Sequence, residues 1–424
     1  MCTLGRAQAI NSPYRDRDLP LYLCIRVLSR IAVLVQSVCV GWQVYDLTHS
    51  PLALGLVGLV EFVPMFLLAL PAGELADRFD PRRIITLASL LEALSSALLL
   101  IFVLTRQTSV WPLYGVILLY GTARGFSGPA TRSLLPFLVP PEKLPRSLAW
   151  GSSITQLAII AGPALGGFAY ALGPAIAYGG ALLASVASAA GMLFLGGRRL
   201  SPDTTVLASR FARVREGIEF VRSRPVVFGA ISLDLFAVLL GGAVSLLPIY
   251  ARDILHVGPT GLGLLRSAPA FGAALTALYL TRRPVDRRVG RTMFAAVVVF
   301  GVGTIVFGVS GNFGLSLAAL AVTGAADQIS VYIRAALVQF ATPDVMRGRV
   351  SSVSTLFISA SNELGGFESG VTAALLGTVP AVVLGGVGTL VVVAVWMGVF
   401  PPLRTVDQLR DVMPVEGGFT PAAG

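Results

Sequence analysis

The sequence predicts an all-α membrane protein, with twelve transmembrane helices in two pseudo-symmetric six-helix bundles. Three observations predict it. Of the 424 residues, 13% are charged and 55% apolar, whereas ordinary soluble domains carry roughly 25% charged residues. The apolar residues gather into twelve long runs, and a helix needs about 20 mostly apolar residues to cross a hydrocarbon core. The bases also divide unequally between alternate breaks, which is the mark of a threaded chain. Together with a mean hydropathy of +0.79, this excludes a cytosolic enzyme, a secreted disulfide scaffold and a disordered chain.

In order, the runs are 19–45, 52–73, 84–105, 111–132, 148–170, 175–196, 226–249, 261–281, 292–310, 314–334, 351–376 and 380–400. The first, from Leu19, is too long for a signal core and has no small-residue cleavage site after it, so it stays as an anchor. The second ends in the basic stretch at Arg78, Arg82 and Arg83. The fourth carries Arg124, the fifth a Gly-Pro cluster, and the seventh Asp234. Runs five and six, and eleven and twelve, are parted only by short Gly/Pro turns.

With the N-terminus inside, 26 of the 32 bases fall in inner segments and only Arg106 and Arg252 in outer loops. This orients both termini to the cytoplasm and supports an even number of spans. The net charge of +10 is thus a topology signal, and nucleic acid is not an expected partner. Cys24 and Cys39 lie inside the first run and Cys2 before it, a pattern without a disulfide framework or metal cluster.

The longest break divides the chain into a tail (1–18), an N-terminal bundle (19–196), a linker (197–225), a C-terminal bundle (226–400) and a second tail (401–424). Within the linker, Phe211, Val214, Ile218 and Val221 recur at helical spacing among Arg210, Arg213, Arg215 and Arg222. Two readings stand, a basic helix on the inner leaflet or a solvated linker. The halves also repeat weakly. Tyr45 and Pro64 match Tyr250 and Pro269 at an offset of 205, Asp77, Arg78 and Arg82 match Asp286, Arg287 and Arg291 at 209, and Arg132 matches Arg334 at 202. Parallel six-span repeats are one large transporter arrangement.

The loop Gly73-Glu74-Leu75-Ala76-Asp77-Arg78-Phe79-Asp80-Pro81-Arg82-Arg83 resembles the signature of the major facilitator superfamily, G-x-L-A-D-R-x-G-R-[KR]-[KR]. It departs at Asp80 and Pro81. Arg124-Gly125-Phe126-Ser127-Gly128 is similar to that family's R-x-x-x-G motif, whose Arg is implicated in proton transfer. Gly162-Pro163-Ala164-Leu165-Gly166-Gly167 resembles the core of its antiporter motif, with Ala158 where an upstream Gly stands. Gly41–Gly55, Thr342–Val350 and Ser361–Gly370 resemble the enterobactin-exporter type of bacterial carrier. The resemblance covers essentially the whole chain. It implies a latch of Gly73, Asp77, Arg78, Arg82 and Arg83, mirrored by Asp286, Arg287 and Arg291. From spacing alone the same bases are equally an ordinary positive-inside anchor. Gly162, Pro163, Gly166 and Gly167 likewise serve export or plain helix packing.

An ionisable group inside a span costs at least about 2.5–3.5 kcal/mol on insertion scales and is a functional candidate. The bases are Arg26, Arg30, Arg124 and Arg266; the acids are Glu61, Glu92, Asp234, Asp327, Glu363 and Glu368. Arg26 is near enough to the inner end to snorkel. In the resembled fold, spans one, four, seven and ten line the cavity, so Arg30, Arg124, Asp234 and Asp327 are expected to face one another. Protonation of Asp234 or Asp327 is the expected switch, since a carboxyl in low dielectric can take up a proton near neutral pH; a static ion pair is the alternative. Glu61 and Arg266 are expected to close the outer side as a pair. Glu363 is expected to serve substrate or proton, and Glu92 a local hydrogen bond.

No catalytic constellation or nucleotide loop appears, and His49 and His256 both fall in outer loops. The expectation is a non-enzymatic, proton-driven exporter of a siderophore or an amphiphilic drug. Its cavity is expected to be lined by Phe, Tyr and Trp, with Arg30 and Arg124 favouring anionic groups. An uptake carrier and a non-transporting sensor or scaffold are the alternatives. The expected setting is a monomer in a bacterial inner membrane, in contact with lipid, small molecule and protons, without cofactor or metal.

Overall fold

The computed structural model describes residues 17–196, 210–344 and 346–412. Twelve long helices match the twelve runs. The first six are α1 (Asp18–Thr48), α2 (Pro51–Arg78), α3 (Pro81–Leu104), α4 (Trp111–Leu134), α5 (Leu144–Leu172) and α6 (Pro174–Phe194). After α7 (Arg210–Ser223), the second set begins with α8 (Pro225–Leu240). A 3₁₀ turn, the single turn α9 (Leu247–Ile249) and a π turn to Ile254 complete that span. Then follow α10 (Gly258–Arg282), α11 (Val289–Val309), α12 (Phe313–Ala341), α13 (Arg347–Leu376) and α14 (Thr378–Val399), with the short α15 (Pro401–Thr405) beyond. Ten of the spans are long and apolar enough to cross a membrane by composition alone; α4 and α13 are the other two. Both bring charge to the interior, Arg124 and Glu363.

Local chemistry sets the boundaries. Ser50 caps α2 through a hydrogen bond from the Ala53 N–H at 3.4 Å, with Pro51 next in the first turn. Asp80 caps α3 in the same way, accepting from the Arg82 N–H at 3.0 Å ahead of Pro81. The two departures from the family signature therefore make a helix start. Gly173 (φ 151°) and Gly377 (φ 93°) reverse the chain between α5 and α6 and between α13 and α14, in backbone regions that L side chains rarely adopt.

Helices α1–α6 pack mainly on one another, as do α8–α14. The two sets meet where α5 crosses α10 and where α2 crosses α13. The repeat is physical. On α4, Gly121 lies against α2, where an added Cβ would stand 2.3 Å from the Glu61 carbonyl oxygen. On α12, Gly324 lies against α10, where a Cβ would stand 2.0 Å from the Pro269 carbonyl oxygen.

The apolar core is distributed unevenly. At the end remote from the linker, Val38, Val44, Leu54 and Ile117 join Leu246, Leu262, Leu265 and Phe307 in one core that runs through both sets. At the linker end the cores are separate. Tyr22, Ile84 and Leu134 form one in the first set, and Leu233, Met293 and Leu337 another in the second. The halves are thus joined at the far end and divided at the linker end.

The helical spacing in the linker corresponds to α7. Residues 197–209 lie outside those described, and α7 docks on protein. Its Phe220 and Val221 are buried with Val350 and Val353 of α13, and Arg349 bridges Glu216 at 2.8 Å. The side chains of Phe211 and Val214 lie outside those described.

The cavity between the halves

A cavity of about 390 Å³ lies between the two sets of helices, within the range of about 300–1,000 Å³ typical of small-molecule sites. Its charged lining is Glu61 (α2), Arg124 (α4), Arg266 (α10), Asp327 (α12) and Glu363 (α13). Gln36, Ser37 and Asn362 add polar groups. The aromatic lining is Tyr120, Phe300 and Phe307; no tryptophan lines it, contrary to expectation. Small residues replace the aromatics, because helices crossing at glycines bring backbone close to the cavity wall.

The charges pair within their own halves. Arg124 donates to Glu61 in a close ion pair, and its guanidinium also lies 6.0 Å from the Tyr120 ring centre, a cation–π distance. Gly121 lets α2 and α4 approach closely enough for this. Asp234 pairs with Arg334 of α12 at 2.9 Å, and both side chains are nearly sealed, 6% and 4% exposed. The expected facing of Arg30, Arg124, Asp234 and Asp327 is therefore not formed. A buried charge takes the nearest partner on an adjacent helix, because separation in low dielectric is costly. Arg30 does not line the cavity; its charge acts on Glu92, which accepts a hydrogen bond from Ser29 at 3.3 Å. Arg26 lies at the linker end, its guanidinium against Gly151 of α5.

Arg266 does not pair with Glu61. Instead its Nη1 donates to the Ser37 carbonyl of α1 at 2.8 Å, across the halves. The far end is closed by contacts the sequence reading missed. Arg252 pairs with Asp46 and the Tyr45 hydroxyl donates to Asp253. In the sequence, Arg252 reads only as one of two outer-loop bases. Arg334 ends the tenth apolar run in the sequence, whereas in the structure it lies well inside α12, which continues to Ala341.

Among the described residues, Asp327 and Glu363 have no hydrogen-bond or ion-pair partner. The charges acting on Glu363 are those of Arg124 and Arg266. Asp327 also lines a small side chamber that contains Asp234 and Ser330. It is the one polar residue shared by chamber and cavity.

The motif Gly162-Pro163-x-x-Gly166-Gly167 makes two close crossings at once. Gly162 and Gly166 face Leu34 and Val35 of α1. Gly167 faces Pro259 and Gly263 of α10, with Pro163 against the same Gly263. On the other side of the molecule, Gly55 of α2 abuts Gly370 of α13. At the linker end, Gly73 is buried, and Arg82 donates to the Leu195 carbonyl at 3.2 Å within the first half. Arg83, Asp286, Arg287 and Arg291 are exposed. The side chains of Asp77 and Arg78 lie outside those described.

Two helical sets around a cavity, joined at one end and divided at the other, make up the major facilitator fold. Solved structures share it. A bacterial homologue of the iron transporter ferroportin, inward-facing, superposes with a TM-score of 0.71 at 17% identity, over 92% of this chain and 99% of that one. An inward-facing, unoccupied bacterial homologue of the human lysosomal transporter Spinster gives 0.69 at 14% identity, over 93% and 99%. The chain belongs to the transmembrane secretion effector family, whose model matches residues 11–416. It is therefore a membrane transporter and not an enzyme. The enterobactin exporter EntS of Citrobacter koseri is 25% identical over 393 residues, 93% of each chain. EntS of Escherichia coli (strain SMS-3-5 / SECEC) is 24% identical over 388 residues, 92% of this chain and 93% of the relative.

Proposed function

We propose that the protein exports an amphiphilic small molecule in exchange for protons. Residues 19–196 and 226–400 would rock as two bundles about the cavity, with both termini on the cytoplasmic side of a bacterial inner membrane. The observation that carries the coupling is Asp327, a carboxyl without a partner among the described residues, which lines both the cavity and the side chamber shared with Asp234. A carboxyl so placed is neutralised by a proton on one side of the membrane and released on the other. Arg82 and the basic loops then serve as the inner latch.

The family description and the enterobactin-exporting relatives speak for outward movement and for a siderophore-like substrate. The cavity's charge favours a different chemistry. Three acids, Glu61, Asp327 and Glu363, face two bases, Arg124 and Arg266. Arg124 is already neutralised by Glu61, and Arg30 is off the cavity. Asp327 and Glu363 are left against Arg266, a net acidic balance that suits an amine-bearing amphiphile better than a catecholate.

Inside-out proteoliposomes with an imposed pH gradient test this, using ethidium as the cationic probe and 2,3-dihydroxybenzoate as the catecholate. Gradient-driven ethidium accumulation that is lost in Asp327→Asn is expected. Accumulation unaffected by the gradient would refute proton exchange, and preference for the catecholate would refute the substrate reading.

A further inference from the structure

The two halves carry matching positions within the spans with their charges exchanged. Glu61 of α2 corresponds to Arg266 of α10 at an offset of 205, and Arg124 of α4 to Asp327 of α12 at 203. Arg30 of α1 corresponds to Asp234 of α8 at 204. The local frame is the same in both. Arg124 and Asp327 each follow one turn after the glycine at which the two helices touch, Gly121 or Gly324.

In the first half this frame holds a closed pair, Glu61 with Arg124. In the second half it stands open. Arg266 reaches across to the Ser37 carbonyl of α1 at 2.8 Å, and Asp327 is without a partner among the described residues. We infer that Arg266 is a positioning residue that exchanges partners during the transport cycle. It holds Ser37 of the opposite half while the far end is closed, and Asp327 of its own half when that end opens.

Three physical points lead there. The bond to Ser37 exists only while α1 lies on the second half, where Gly41 also meets Pro248 and the Arg266 guanidinium. When the halves part at the far end, that carbonyl leaves with α1. A guanidinium stranded inside a span without a counter-charge is strongly unfavourable, so it must find an acid that moves with it. Asp327 sits in the frame that already closes an ion pair in the first half. The α10–α12 crossing at Gly324 is at least as tight as the α2–α4 crossing at Gly121, 2.0 Å against 2.3 Å for an added Cβ. Glu363 is the competing acid of the same half. It lies on α13, outside this frame, with its backbone and its carboxylate against Gly58 of α2, and its charge acts on Arg266 while the far end is closed.

The exchange adds a mechanical role to Arg266 that does not depend on which ion drives transport or in which direction. One pair is permanent and the other is made and broken. The first half thereby keeps its internal geometry through the cycle, while the second registers whether the far end is closed.

The test is a distance distribution between spin labels on the far-end loops, at Gln107 and Gly311, in full-length protein whose cysteines are replaced by serine. Both sites are exposed. Asp327→Asn is expected to lower the far-open fraction about fivefold or more, the scale of a single coupling contact, whereas Glu363→Gln leaves it unchanged. The reversed pair, Arg266→Asp with Asp327→Arg, keeps the ion pair but removes the donor to Ser37. It is expected to raise the far-open fraction above that of the unaltered protein. The inference is overturned if Glu363→Gln depletes the far-open state and Asp327→Asn does not, or if the reversed pair behaves as the sum of its single changes. Should the reversed pair fail to fold, the two amide variants decide the question by themselves. Because no substrate or gradient is present, a failure of proton-driven export leaves this result standing, and the converse holds too.

Discussion

Gly167→Ala is the substitution that should separate the closure of the far end from the stability of the fold. An added methyl at this position would lie 2.3 Å from the Pro259 carbonyl oxygen and 2.9 Å from the Gly263 backbone. Backbone atoms cannot rotate away as a side chain can. A carbon needs roughly 3.3 Å to such an oxygen, so α5 and α10 must separate by about 1 Å where they cross. Overpacking of this kind costs about 1–3 kcal/mol. The contact is between halves, so the cost falls on the far-closed state alone. The balance should move toward the far-open state by about 5- to 150-fold. Distances between labels at Gln107 and Gly311 report it, and the unfolding temperature in detergent should stay within a few degrees. Gly180→Ala on α6 is the control, since nothing lies within 4 Å of the added methyl. If Gly167→Ala lowered the unfolding temperature and left the label distances unchanged, the two-state reasoning would be wrong.

Other substitutions distinguish contacts within a half from contacts between halves. Gly324→Ala presses on the Pro269 carbonyl inside the second half, so it should destabilise the protein in denaturant titrations without shifting the label distances. Arg334→Ala strands a nearly sealed Asp234 and should cost about 3–5 kcal/mol; adding Asp234→Asn should recover much of the loss in the same titration. Arg252→Gln breaks a pair whose partners are 30% and 49% exposed. It should change stability by less than about 1 kcal/mol, and this small effect should shrink further in high salt.

Much of the architecture was legible because bilayer crossing imposes a one-dimensional rule. Each span must be apolar over a fixed length, and each run corresponds to a helical span, the seventh broken after Leu240 into α8 and shorter turns. The repeat at Pro64 and Pro269 was readable too, since these prolines mark the crossings met by Gly121 and Gly324. The linker was less legible. Its helical spacing was correct, but spacing does not say what an apolar face meets, and Phe220 and Val221 meet α13 rather than lipid. The candidate site was legible as an inventory. Arg124, Arg266, Asp327 and Glu363 were all named from the sequence and all line the cavity. Their partners were not legible, and neither were Arg334, Asp46 and Asp253, which look like ordinary charges near span ends.

By itself, the sequence determined which segments cross the bilayer, how the chain repeats and which charges are buried, because these follow from the high cost of polar groups in hydrocarbon. Only the tertiary structure decided how those charges pair. Glu61 took Arg124, Asp234 took Arg334, and Arg266 took a backbone carbonyl of the opposite half. The reason is distance. Electrostatic attraction in low dielectric falls off with separation, and separation is fixed by where glycines allow helices to touch. Burial can be read along the chain, whereas pairing depends on contacts between helices far apart in it.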